Sequence, residues 1–121
     1  MTSGVDVVKT MRYKFVRYCV NKAYAEVDLK DLPAEVLNAF DDVVNQIRDL
    51  EKYFTSIEAI AKVLRGEVLE KLNALRERSP ALAEEFLKRV VEHCMELEEV
   101  ADSPLRDVFQ ELLRRFNEAK K

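Results

Sequence analysis

Residues 33–66 read PAEVLNAFDDVVNQIRDLEKYFTSIEAIAKVLRG, and this stretch decides the fold class. Its apolar positions Val36, Phe40, Val43, Ile47, Leu50, Phe54, Ile57, Ala61 and Leu64 recur at spacings of 4, 3, 4, 3, 4, 3, 4 and 3. Such spacing returns each side chain to one face of an α-helix, whereas a half-buried strand alternates every second residue. Pro33 suits a helix start, because the N–H it lacks has no partner there. Glu35 sets a negative charge at the positive end of the helix dipole. Asp31 is the expected cap and Gly66 the expected stop. Thr55 and Glu58 match a capping box, which would start a second helix. The unbroken spacing favours one helix over residues 33–65, about 45–50 Å long at about 1.5 Å per residue.

A heptad seam alone would suit a two-stranded coiled coil. Leu37, Val44, Tyr53 and Ile60 widen the apolar stripe beyond such a seam, so several helices must cover it. If the covering is incomplete, these four residues become a self-association surface.

Working outward, Ser3 and Asp6 open a first helix that buries Val5, Val8, Met11, Phe15, Cys19 and Ala23. After Gly66 a short helix turns Val68, Leu72 and Leu75 inward. Ser79 and Pro80 restart the chain as cap and first helical residue, and Leu82, Phe86, Val90, Cys94 and Leu97 follow on one face. Ser103 and Pro104 repeat the device ahead of Leu105, Val108, Phe109, Leu112 and Phe116. The expected fold is an all-α five-helix bundle of one domain, residues 1–121, around one long central helix. Its helices span about 5–26, 33–65, 67–78, 80–101 and 104–119.

Composition agrees. The 121 residues are 48% hydrophobic and include only two glycines and three prolines, too few breakers for the many turns of an all-β chain. No apolar run approaches the roughly 18 residues of a membrane span, and the N-terminus lacks the basic-then-apolar order of a secretory signal. The expected setting is cytoplasmic. Two cysteines, Cys19 and Cys94, do not form a disulfide framework and are expected as apolar core residues. High charge with scarce glycine and glutamine resembles a thermophile's composition.

Net charge is −3, but it is blocked along the chain. Residues 1–26 carry five basic and two acidic side chains, whereas residues 79–103 carry two and seven. Lys9, Tyr13, Arg17 and Tyr24 fall on one side of the first helix, with Lys14 near its edge. Cations interleaved with aromatic rings suit phosphates and stacked bases, so these five are the candidate surface for nucleic acid or another anionic partner.

Glu67 and Glu70, followed by Glu99 and Asp102, have E-x-x-E and E-x-x-D spacing. This resembles the all-α nucleotide pyrophosphohydrolases of the MazG type. The resemblance covers four residues and implies helical carboxylates that hold magnesium against phosphates. The helix of that family continues where Ser103 and Pro104 end this one.

His93 is the single histidine. It leaves zinc, di-iron and triad chemistry without a full set of groups, and it reads as a partly buried structural residue. No catalytic, cofactor or metal residues are therefore assigned, and an enzyme is not expected. The leading expectation is a helical interaction subunit that binds itself or another protein. A nucleic-acid-associated subunit of a ribonucleoprotein is second, and a metal-dependent hydrolase third.

Overall fold

The computed structural model describes residues 18–50, 57–102 and 104–119. They form an all-α bundle. Helix α1 occupies 18–26, α2 Ala34–Arg48 and α3 Ile57–Val63. A π-helical turn, Leu64–Val68, joins α3 to α4, Leu69–Arg78, and α5 (Pro80–Met95), α6 (Glu98–Ala101) and α7 (Leu105–Ala119) follow. Among the described residues no helix is long and apolar enough to cross a membrane.

The expected single helix over 33–65 is corrected. Glu35 of α2 pairs with Arg78 at the end of α4 at 3.1 Å, and Gln46 donates to Glu67 at 2.6 Å. Eleven residues forward along α2 thus match eleven residues back along the π turn and α4, which is the register of antiparallel neighbours. In one straight helix Gln46 and Glu67 would stand roughly 30 Å apart. The arms on either side of residues 51–56 therefore run antiparallel. Whether helix persists through Thr55 and Ser56 lies outside the described residues. The physical reason is the width of the stripe. Folded back, its two halves cover each other: Val36, Phe40, Val43, Val44, Ile47 and Leu50 come from one arm, and Ile60, Leu64, Val68, Leu72 and Leu75 from the other, all buried.

Gly66 does not stop a helix. It sits inside the π turn, no described glycine has positive φ, and helix runs unbroken from Ile57 to Arg78. Asp31 is not a cap either. Pro33 holds the cap position without a side-chain bond, and its carbonyl accepts from Val36 and Leu37 at 3.0 and 3.1 Å. Asp31 instead takes a left-handed φ of 61° in the α1–α2 connector, a conformation that aspartate tolerates better than most side chains. The expected helix 80–101 breaks at Leu97, which is extended, and α6 then turns Val100 into the core.

Helix α4 packs against α2, α5 and α7 and forms the centre of the bundle. Phe40 and Phe86 meet edge to face at 4.8 Å, and Tyr24 stacks on Phe40 at 5.4 Å, so α1, α2 and α5 share an aromatic junction. Arg76 of α4 reaches α7, donating to the carbonyl of Phe116 at 2.5 Å while its guanidinium lies 4.1 Å from that ring. That carbonyl is among the last four of α7, which have no partner within the helix, so Arg76 caps α7 from outside.

A methyl group added at Gly66 meets no atom within 4 Å. Glycine costs about 0.5–1 kcal/mol relative to alanine at a helical position. Gly66→Ala is thus expected to raise unfolding stability in urea by about that amount. A loss of stability would show that the π turn needs the bare backbone.

Candidate functional site

The richest cluster of polar side chains joins α1 to α5. Helix α1 presents small groups inward, with Cys19, Val20 and Ala23 fully buried. Cys19 meets Cys94 of α5 in a disulfide with a Cα–Cα distance of 5.2 Å, inside the normal range for such bonds. The expectation of two separate apolar cysteines is corrected. Each does lie on an apolar face, but α1 lies across α5 and brings the two faces together. The bond closes a loop across a sequence separation of 75, for which chain entropy predicts about 4 kcal/mol of stabilisation.

One residue before Cys94, His93 is buried at 8% exposure between two carboxylates. Its Nε2 lies 2.5 Å from Glu26 of α1, and its Nδ1 lies 3.0 Å from Glu96. The bond to Glu26 chiefly holds the imidazole above its ordinary value of 6.5, against the downward pull of burial. The same bond chiefly lowers the Glu26 carboxyl from 4.5. Arg89 stands 3.9 Å from Glu26 and 2.6 Å from Glu85, and Lys22 stands 3.6 Å from Glu96. The cluster is a charged clamp set beside a covalent one. The expectation of a structural histidine names the residue, but not its partner Glu26, which is 67 positions away.

The outer face of α1 carries Tyr18 and Tyr24, which are 40% and 36% exposed. Lys22 donates to the Tyr18 hydroxyl at 2.6 Å and lies 4.8 Å from the centre of its ring. Arg48 of α2 lies 6.0 Å from the Tyr24 ring and donates to Asn21 at 2.7 Å. Of the five candidate anion-binding residues, Tyr24 is on this face, whereas Lys9, Tyr13, Lys14 and Arg17 lie outside the described residues. Sequence reading passed over Tyr18, Lys22 and Arg48. The four-residue interval from Tyr18 to Lys22, one helical turn, was the available signal.

The four proposed self-association residues separate. Val44 and Ile60 are buried inside the chain's own core and offer no surface, because the α2–α4 hairpin covers them. Leu37 is half-buried, and Tyr53 lies outside the described residues. Among the described residues no group of three or more His, Cys, Asp or Glu side chains is placed to hold a metal. Glu67 and Glu70 are exposed on the π turn and α4, and Asp102 is exposed beyond α6. Glu67 is engaged by Gln46. No protein-family model, curated protein or solved structure matches this chain.

The clamp sets a pH dependence. A raised imidazole pKa contributes stability in full below 6.5, and this is lost as pH rises through the folded value. A lowered carboxyl pKa contributes above 4.5, and this is lost as pH falls through its folded value. Thermal stability is therefore expected to be highest between these limits and to fall on the alkaline side. His93→Gln should flatten that alkaline fall in a melting series against pH. An equally steep alkaline fall in the variant would assign the effect to other groups.

Proposed function

We propose that this protein is a non-catalytic helical subunit that self-associates through the outer face of α1. The observation that carries this reading is the pairing of Tyr18 and Tyr24, both exposed, with Lys22 and Arg48 on a helix bonded covalently to the core. Tyrosine and arginine are enriched at interfaces, where they combine large contact area with a polar end. A two-fold interface must be complementary to itself. This face offers both signs, with Lys22 close to the carboxylates of Glu96 and Glu26 and Arg48 bonded to Asn21.

A nucleic-acid partner has less support. Within 18–26 the charges of Lys22 and Glu26 cancel, and neighbouring α5 adds Glu84, Glu85 and Glu92 against Lys88 and Arg89, with Glu96 just beyond its end. A polyanion requires net positive charge along its track. A cytoplasmic setting agrees with a disulfide where intracellular proteins keep them, as in hyperthermophiles. The charge-rich composition supports that setting.

The test is sedimentation velocity over a wide concentration series. A reversible dimer with a Kd in the micromolar range is expected. Tyr18→Glu, at a partly exposed side chain that accepts a hydrogen bond from Lys22, should weaken it about tenfold, or about 1.4 kcal/mol, without lowering the melting temperature. A monomer at millimolar concentration, or a dimer indifferent to Tyr18→Glu, would contradict the proposal.

A further inference from the structure

We infer that the Cys19–Cys94 disulfide is a redox latch: reduction by a dithiol releases α1 from an otherwise intact bundle. The inference deepens the self-association reading, on which its functional meaning rests, since the helix released is the one that carries the interface.

The helices of the bundle are anchored unequally. Helices α4, α5 and α7 each bury leucine or phenylalanine side chains, including Leu72, Leu75, Phe86, Leu87, Phe109 and Phe116. Among the described residues, α1 buries fully only the small Cys19, Val20 and Ala23; Tyr18 is 40% exposed, and Tyr24, 36% exposed, lays one ring face on Phe40. Its other links are polar and close to solvent: Asn21 with Arg48, Lys22 with Glu96, and Glu26 with His93 and Arg89. Apart from the Tyr24 ring, residues 18–26 bury only small apolar groups, so the covalent bond supplies a large share of their attachment. Local opening begins where few apolar contacts oppose it.

The bond is also protected until α1 moves. Cys19 is fully buried and Cys94 is 1% exposed, so an attacking thiolate reaches neither sulfur in the closed state. Glu26 with His93, and Lys22 with Glu96, are the outer contacts that must loosen first. When they do, a thiolate of the dithiol attacks one sulfur and forms a mixed disulfide, and the other sulfur leaves as a thiolate. The second thiol of the reductant then closes on the first. The dithiol is oxidised to its cyclic disulfide, and its two protons end on Cys19 and Cys94.

Hydrogen exchange read by mass spectrometry tests the inference, with dithiothreitol as the dithiol and the protein dilute enough to be monomeric. Amides of 18–26 are expected to exchange at least about tenfold faster after reduction, while those of α4, α5 and α7 stay more protected than α1 because the rest of the bundle remains folded. The double variant Cys19→Ser, Cys94→Ser should match the reduced protein without reductant. Glu26→Gln, at fixed pH, should speed reduction of the native bond. Equal protection of α1 in the oxidised and reduced forms would overturn the latch. So would simultaneous loss of protection in every helix, or two alkylatable thiols in protein exposed to oxidant. Each readout is taken on the monomer, so a failure of self-association leaves it unaffected.

Discussion

The bundle depends on one constraint: the wide apolar stripe of residues 33–66 must be buried, and the chain buries it by folding the stripe back on itself. The pairs Glu35–Arg78 and Gln46–Glu67 record that reversal but do not cause it. Exposed pairs of this kind contribute about 0–1 kcal/mol each. The driving term is the apolar surface of Phe40, Val43, Val44 and Ile47 meeting that of Leu64, Val68, Leu72 and Leu75. With the hairpin closed, α4 presents further faces to α5 and α7, and Arg76 ties the end of α7 back to α4.

Burial pattern was legible in the residues, and chain direction was not. Val36, Phe40, Val43, Ile47, Leu50, Ala61, Leu64, Val68, Leu72 and Leu75 are all buried as their spacing implies. Spacing reports which face of a helix points inward, and both arms of a hairpin point inward at a shared core. The 4-3 rhythm therefore carries through the reversal unchanged. Gly66 misled for a related reason. Glycine at a helix end is read as a left-handed cap, but at this position the backbone keeps helical φ and widens into a π turn instead. Leu97 breaks its helix with neither glycine nor proline to announce it.

The site shows the same division. Cys19, Cys94 and His93 were each placed on helices at the right depth, yet their joining depends on α1 crossing α5, which no local pattern encodes. Once joined, one small region combines a covalent link, a buried imidazole shared by two carboxylates, and an outward pair of tyrosines under cations. The sequence thereby gives a helix whose described residues bury mostly small apolar groups a fixed position on the surface. That fixed position is the basis of the interaction role proposed for the protein.

The reversal between α2 and α3 is the claim from which the rest follows, and a distance measures it directly. Spin labels on Asp42→Cys and Arg65→Cys, with the native cysteines left oxidised, mark exposed points on the two arms. Antiparallel neighbours place these backbones roughly 10–15 Å apart, so a label separation below about 25 Å is predicted. A separation of about 35 Å or more, the length of one straight helix between the two positions, would contradict the hairpin.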